Sequence, residues 1–265
     1  MSKVSARNEK RRLENKVKYE GFRFETANGM CEVVEYTNNE SVKVRFIETG
    51  YEKDVWLKNV KTGNIRDCTA QTLYGVGVLG ETNLKTRGKD AKEYILWKNM
   101  LKRCYDYNSK NDFPSYTSAT TTESFKYFVK FISWCNQQVG FNFKDDKGKP
   151  FHLDKDILVK GNKLYSEDTC CFVPAEINSL FTKADRKRGT FPIGVSFNKS
   201  KGRFEAYCCS STSRYLGSYD TAEEAFYVYK KAKESQIKLL ANRWKDQIDP
   251  RVYEALMNYQ VEITD

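Results

Sequence analysis

The chain has little histidine, no paired metal-binding cysteines and no long apolar run, and each shortage excludes a class of protein. One His occurs in 265 residues, and none of the eight Cys belongs to a Cys-x-x-Cys pair. The usual zinc patterns cannot be assembled from these residues, so no zinc is expected. No segment approaches the roughly 20 apolar residues that cross a bilayer, and the first 16 residues lack the apolar stretch of a secretion signal. We therefore expect a soluble, cytoplasmic protein with reduced cysteines and no membrane partner.

The charge is unbalanced toward cations. Lys and Arg number 45 against 35 Asp and Glu, which gives a formal net charge of +10. The segment 76–188 holds 20 basic and 14 acidic residues, so most of the excess lies there. A folded protein with surplus cations favours a polyanionic partner, and nucleic acid is the first candidate. Solubility alone remains the alternative explanation of the charge.

Composition and periodicity predict an α+β protein made of several modules. Short alternating apolar and polar runs separated by turn residues favour a small N-terminal β-barrel or sheet. Apolar residues spaced by three and four predict helices in the centre of the chain. The predicted division is a flexible basic tail (1–18), a small β domain (19–73), a linker (74–91), a ββα domain with helices (92–182), a basic linker (183–191), a three-stranded sheet with a helix (192–245) and a C-terminal helix and tail (246–265).

The segment 150–180, PFHLDKDILVKGNKLYSEDTCCFVPAEINSL, carries the chemistry of the central domain. We predict a strand over 151–158, a second strand over 169–173 and a helix that begins at Pro174 and contains Asn178. This ββα order, with acids on the first strand and Asn on the helix, resembles the HNH or His-Me finger endonucleases, in particular the phage endonuclease VII type. The resemblance covers about residues 92–182.

The resemblance implies a single-metal nuclease site. Asp154 matches the metal ligand and Asn178 matches the helix Asn of that family. Lys155 stands where the family has its general-base His, and Thr169 stands near the central Asn.

The residues themselves indicate how such a site could work. Asp154 and Asp156 flank Lys155 and favour its charged form, which suits Lys155 to holding a phosphate. His152 alternates onto the strand face of Asp154 and Asp156, so it is the candidate for a displaced base. Asp154, Asp156 and Asn178 would hold Mg²⁺ or Mn²⁺, which lowers the pKa of bound water. The alternatives are a finger that kept its fold and lost its reaction, and an unrelated structural role.

The segment 192–234 predicts a three-stranded antiparallel sheet followed by a helix. The strands are expected over 194–198, 203–210 and 213–219, and Asp220 or Thr221 should cap the helix. The motif LGSYDTAEEAF at 216–226, with GVSF at 194 and KGRFEAY at 201, resembles the APETALA/ethylene-response-factor DNA-binding domain. That resemblance implies a sheet lying in the major groove of DNA.

Alternation along the second strand turns Phe204, Ala206 and Cys208 toward the helix and Arg203, Glu205 and Tyr207 away from it. The outward face and the nearby cations supply the candidate DNA contacts. Asn198 could pair with adenine or a phosphate and Arg203 with guanine or a phosphate, while other cations would contact the backbone. The full predicted set is Lys183, Arg186, Lys187, Arg188, Asn198, Lys199, Lys201, Arg203, Tyr207, Arg214 and Tyr215. An exposed Tyr and Arg face could instead bind protein, and the cluster at 183–188 could be a solvated linker.

Together these patterns predict a phage-type, HNH-like DNA endonuclease that nicks or cleaves duplex DNA at a preferred site inside a bacterial host. The competing hypothesis is a catalytically inactive, sequence-specific DNA-binding regulator. A weaker one is an interaction factor that engages a protein of a host complex through its N-terminal β domain.

Overall fold

A computed structural model describes residues 3–83, 92–112, 116–181, 190–209 and 213–265. The protein is a mixed α+β chain with several small sheets, as expected. It forms two compact units, residues 1–132 and 133–265. The division falls within the segment 92–182 that was expected to be one domain. In the described residues no helix is long and apolar enough to cross a membrane.

The first unit is built on a four-stranded antiparallel meander. Its elements, in chain order, are α1 (Lys3–Tyr19), β1 (Arg23–Thr26), β2 (Gly29–Asn38), β3 (Ser41–Phe46), β4 (Glu52–Val55), α2 (Leu57–Thr62), β5 (Gln71–Leu73), β6 (Gly77–Val78), α3 (Lys92–Tyr105), α4 (Tyr107–Asp112), β7 (Thr120–Thr121) and a 3-10 turn (Ser124–Lys126). The strands β1 to β4 pair in sequence order. Alternating apolar residues such as Cys31, Val33, Val42 and Val44 fill its core. This unit thus contains a small antiparallel sheet in the segment where the alternation predicts strands.

Two elements of this unit differ from the sequence prediction. The segment 1–18 was expected to be a flexible tail, yet Lys3–Tyr19 is a helix. It contains no Gly or Pro, and its last turn docks on β2. This tertiary contact stabilises the helix and is not evident from its polar sequence. The run KDVWLKNV at 53–60 alternates as a strand does, but β4 stops at Val55 and the helix α2 follows. The predicted linker 74–91 contains β6, which pairs with β5 in a hairpin. Residues 84–91 of this linker lie outside the described part.

A helix, α5 (Phe128–Cys135), crosses the division between the units. The second unit continues with β8 (His152–Asp154), β9 (Leu164–Tyr165), β10 (Cys171–Val173), α6 (Ala175–Leu180), β11 (Val195–Asn198), β12 (Arg203–Cys209), β13 (Ser213–Tyr219), α7 (Ala222–Trp244) and α8 (Pro250–Met257). β10 pairs with β8, and β11, β12 and β13 form one antiparallel sheet. The predicted ββα order and the predicted sheet with its following helix are therefore both present as secondary structure.

The sheet of the second unit packs on α7 because one of its faces is apolar. Ala206 and Cys208 on β12 contact Ala225, Phe226 and Tyr229 of the helix. Thr221 caps α7 through a reciprocal capping box with Glu224, as the sequence signal indicates. The far end of α7 reaches the ββα segment, where the indole of Trp244 donates to Glu176.

Candidate functional site

The ββα segment brings together side chains that are distant in sequence. β8 and β10 pair antiparallel with Asp154 opposite Cys171 and His152 opposite Val173. Strand alternation places His152 and Asp154 on one face and turns Leu153 into the core. Pro174 then starts α6, which carries Asn178 toward the same face.

His152 and Asn178 contact each other across this segment. The Asn178 Nδ2 atom lies 3.3 Å from the His152 Nδ1 atom, and both residues are accessible to solvent. With the amide in this orientation, Asn178 donates to Nδ1, so the imidazole proton is on Nε2 and Asn178 Oδ1 is free. With the amide rotated, Nδ1 donates to Oδ1, so Nε2 is free to accept a proton. Only the rotated orientation provides a basic nitrogen, and Oδ1 then keeps its second lone pair for a metal ion.

Asp154 is held at the end of β8 by the backbone that follows it. Its Oδ1 atom accepts the backbone N–H groups of Asp156 at 2.8 Å and Ile157 at 2.9 Å. Burial, and secondly the charge of Asp156, raise the pKa of Asp154 to about 6. The turn ends the strand at Asp154, so the expected strand over 151–158 is wrong beyond that residue. Asp156 consequently does not share the strand face of His152 and Asp154.

Lys155 and Asp156 pair with each other. The ammonium of Lys155 lies 3.1 Å from Asp156 Oδ2, and the Lys155 side chain is only 12% exposed. It also lies 5.8 Å from the centre of the Tyr165 ring. Lys155 therefore neutralises a neighbouring carboxylate instead of extending into solvent toward a phosphate. Asp156 is in turn the weakest of the three predicted metal ligands.

The remaining donors fit a hard cation only in part. Asp154 Oδ2 and Asn178 Oδ1 are the oxygen type that Mg²⁺ prefers, and Mg²⁺ commonly keeps several waters. Burial raises the pKa of Cys171 well above its ordinary value, so its thiol stays protonated beside Asp154. Within the described ranges, no group of three or more His, Cys, Asp or Glu side chains could hold a metal ion.

The outward face of the C-terminal sheet is organised around one carboxylate. On β12, Phe204, Ala206 and Cys208 face α7, and Arg203, Glu205 and Tyr207 face away. Glu205 is only 6% exposed although it lies on the outward side.

Three donors surround this carboxylate. Glu205 accepts hydrogen bonds from Lys201 Nζ at 2.9 Å, from Asn198 Nδ2 at 3.0 Å and from the Tyr207 hydroxyl at 2.8 Å. The bonds from Lys201 and Tyr207 lower the pKa of Glu205. The sequence marked Glu205 only as a member of the face, because the convergence of donors depends on the pairing of β11 with β12.

Beside this network lies an aromatic and cationic patch. The rings of Tyr207 and Tyr215 are 5.5 Å apart, and Tyr215 is 49% exposed. The Lys201 ammonium lies 5.9 Å from the centre of the Tyr215 ring. Lys199, in the turn between β11 and β12, and Arg214, on β13, are also exposed. Arg203 pairs with Asp220 at 2.9 Å.

Asn198 has a different role from the one expected. Its Oδ1 atom accepts from the Ser200 hydroxyl and from the backbone N–H groups of Ser200 and Lys201, which closes the turn between β11 and β12. Both ends of its amide are thus engaged within the protein, and pairing with adenine would require breaking the turn. The predicted contacts Lys183, Arg186, Lys187 and Arg188 lie outside the described residues.

The sequence did not show which residues link the ββα segment to the end of α7. Arg243 pairs with Glu176 at 3.2 Å and also with Asp146, and Phe151 packs edge-on against Trp244 at 5.6 Å. These contacts join residues up to about 100 positions apart, so no local pattern signals them. Comparison with known protein families, curated sequences and solved structures found no match for this chain.

Proposed function

We propose that the protein binds double-stranded DNA through the outward face of its C-terminal sheet. The observation that carries this proposal is the ordered patch of Lys201, Tyr207 and Tyr215 around Glu205, on a face that α7 does not cover. A preformed set of cations and rings loses little side-chain entropy on binding, so more of the contact energy is retained. The resemblance of the LGSYDTAEEAF segment to a groove-binding domain supports the same conclusion.

The patch offers both kinds of contact that nucleic acids need. Lys199, Arg214 and Lys201 supply phosphate contacts, which provide affinity without sequence information. Arg203 matches guanine in the major groove, and Glu205 matches the amino group of cytosine. Because Lys201, Asn198 and Tyr207 already occupy Glu205, sequence selection falls mainly on the tyrosine rings and on Arg203. To contact a base, Arg203 must exchange its ion pair with Asp220.

DNA binding can be tested by fluorescence anisotropy with a labelled 30-base-pair duplex. Lys199→Ala should weaken binding about fivefold at 0.15 M salt, the cost of one phosphate contact. Tyr215→Ala should weaken it about tenfold, since a ring contact of this kind is worth on the order of 1 kcal/mol. Lys238→Ala and Tyr227→Ala are matched controls, because both residues are exposed on α7.

The two controls should bind DNA as the unaltered protein does. Equal losses in the test and control variants would contradict the proposal. Tighter binding to a single strand than to the duplex would exclude the groove-binding mode. Absence of all nucleic-acid binding would favour the interaction-factor hypothesis.

Phosphodiester cleavage is a second candidate function, and the contact of His152 with Asn178 favours it. That contact places a titratable imidazole and an amide beside the carboxylate of Asp154, on the accessible face of a ββα segment. Mg²⁺ bound by Asp154 and Asn178 would supply Lewis-acid stabilisation of a phosphate. His152 would accept a proton from water only with the Asn178 amide rotated, as the two orientations above require. Binding ranks first because it does not depend on that rearrangement.

Cleavage can be tested with supercoiled plasmid DNA and Mg²⁺ or Mn²⁺. We expect nicking by the unaltered protein and loss of at least a hundredfold in rate for Asp154→Asn and His152→Ala. Asp156→Asn is the matched control, because Asp156 pairs with Lys155 and should matter less. No nicking with either ion would contradict this second candidate function and leave the DNA-binding proposal unaffected.

A further inference from the structure

Helix α1 of the first unit is strongly cationic. It holds seven Lys and Arg residues against Glu9 and Glu14. All of its basic side chains between positions 7 and 18 are exposed. These side chains form a charged surface along about 16 Å of the helix.

The helix is fixed to the sheet at its last turn. Tyr19 is buried and its ring stacks on that of Tyr36 at 6.1 Å. Asn15 donates to the Tyr36 hydroxyl at 3.0 Å, and Glu20 accepts the Tyr36 backbone N–H at 3.1 Å. The cations are consequently presented on an anchored element.

Helical geometry gathers three of these cations on one side. At about 100° per residue, Arg7, Arg11 and Lys18 fall within an arc of about 40° and extend over about 16 Å. Lys18 lies 5.3 Å from the centre of the Tyr19 ring, and Lys61 of α2 lies 5.9 Å from the same ring. The charged surface thus continues from α1 onto α2. We call these four residues, together with Lys58 of α2, the basic face.

The basic face differs from the sheet beneath it in how its charges are balanced. On the sheet, cations pair with acids on neighbouring strands: Arg23 with Glu32, Lys43 with Glu35, and Arg45 with Glu52. Among the described residues, no member of the basic face makes an ion pair, and the only pair on α1 joins Lys16 to Glu20. At the same 100° per residue, Glu14 falls about 20° from Arg7, so one acid lies beside the three cations of α1. The net excess of cations on one anchored surface still attracts a polyanion and releases its counterions on binding.

We propose that the basic face binds the phosphate backbone of double-stranded DNA, as a contact separate from the C-terminal sheet. DNA is favoured over an anionic membrane by the distribution of apolar residues. A helix that lies in a bilayer surface needs a broad apolar face. Among the α1 side chains that the structure describes, only Leu13 and Val17 are large, apolar and exposed, and they lie about 80° to 140° around the helix from Arg7 and Lys18.

The experiment compares two full-length triple variants of equal net charge. The first is Arg7→Gln, Arg11→Gln and Lys18→Gln; the control is Arg23→Gln, Lys43→Gln and Arg45→Gln. Binding of a 30-base-pair duplex is measured by anisotropy between 0.05 and 0.3 M salt. For the first variant, the slope of log affinity against log salt should fall by up to about 2.7, and affinity at 0.15 M salt on the order of 100-fold. The control should keep the slope of the unaltered protein.

A charge-conserving variant, Arg7→Lys with Arg11→Lys, should also keep that slope. An unchanged slope in the first triple variant with intact helical circular dichroism would overturn the proposal. If that variant loses helicity, Lys61→Gln decides, because Lys61 lies on α2: a slope lower by about 0.9 supports the proposal and no change overturns it. Binding to phosphatidylserine vesicles but not to DNA would also overturn it.

The outcome is distinguishable from failure of the sheet-binding proposal. Loss of DNA binding in Lys199→Ala and Tyr215→Ala, with no change in the basic-face variants, leaves the sheet and rejects the basic face. The reverse pattern supports the basic face and rejects the sheet.

Discussion

Asp154 in the ββα segment and Glu205 in the C-terminal sheet are both carboxylates set into β structure, yet their pKa values move in opposite directions. Glu205 is surrounded by Lys201, Asn198 and Tyr207, and hydrogen bonds from these donors lower its pKa. Asp154 receives only two backbone N–H groups, and burial raises its pKa to about 6.

The difference indicates what each carboxylate does. The charge of Glu205 is compensated, so it organises the face on which Tyr207 and Lys201 stand. The charge of Asp154 is poorly compensated, so its ionised form costs folding free energy near neutral pH. Strongly perturbed groups of this second kind concentrate at functional sites.

The largest expected effect tests how tightly each region is packed. Gly194 and Gly161 have nearly equal φ angles, +77° and +79°. A Cβ on Gly194 would lie 2.1 Å from the Tyr229 ring, whereas Gly161 has nothing within 4 Å. We expect Gly194→Ala to lower the free energy of unfolding by about 3 kcal/mol or more, and Gly161→Ala by about 1 kcal/mol. Urea denaturation measures both, and equal losses would show that the sheet does not pack closely on α7.

The second prediction concerns the uncompensated carboxylate. Asp154→Asn keeps an oxygen for the two backbone N–H groups and removes the charge. Because the folded pKa of about 6 exceeds the ordinary 3.8, the cost of ionisation develops as pH rises from about 4 to 6 and persists above it. The variant should therefore be more stable than the unaltered protein by up to about 3 kcal/mol at pH 7.5 and nearly equal to it at pH 4.

Thermal denaturation as a function of pH measures this difference. If Asp154 binds Mg²⁺, adding 10 mM Mg²⁺ should raise the melting temperature of the unaltered protein and not that of Asp154→Asn. A variant less stable at pH 7.5 would show that Asp154 is a structural residue whose charge is satisfied.

The smallest effect should come from the compensated carboxylate. The pKa of Glu205 is lowered, so its contribution to stability is present above its ordinary value of 4.5 and is lost as pH falls through the folded value. Glu205→Gln should be less stable than the unaltered protein at pH 7, and the gap should close as pH falls below 4.5 through the lowered pKa of Glu205. Thermal denaturation measures this difference in stability as well. A difference that does not change with pH would mean that packing around residue 205, and not the charge of Glu205, stabilises the face.

Some elements of both regions could be predicted from the sequence because strand alternation and helix capping depend on neighbouring residues. The alternation of Phe204, Ala206 and Cys208 predicted which face of β12 is covered, and the signal at Thr221 predicted the start of α7. Pro174 marked the start of α6 in the same way. Residues 1–18 are predicted to be a flexible tail because their polar sequence carries no apolar stripe. The contacts that hold the helix on β2 include those of Asn15 and Tyr19 with Tyr36.

The candidate sites depended more on tertiary contacts. The sequence predicts a strand over 151–158, but the side chain of Asp154 competes for the backbone N–H groups and ends the strand at Asp154. Asn198 is predicted to contact a base because an Asn amide can pair with adenine. In the structure its amide instead hydrogen-bonds within the turn between β11 and β12.

By itself, the sequence determined the surplus of cations, the ββα order, the three-stranded sheet with its helix and the residue types at each face, since charge, alternation and capping act over a few positions. Only the tertiary structure decided that Lys155 neutralises Asp156, that Asn178 meets His152, that Glu205 gathers three donors and that α1 is an anchored helix. Each of these depends on which side chains burial and strand pairing bring within a few ångströms, where desolvation and hydrogen bonding set charge and orientation.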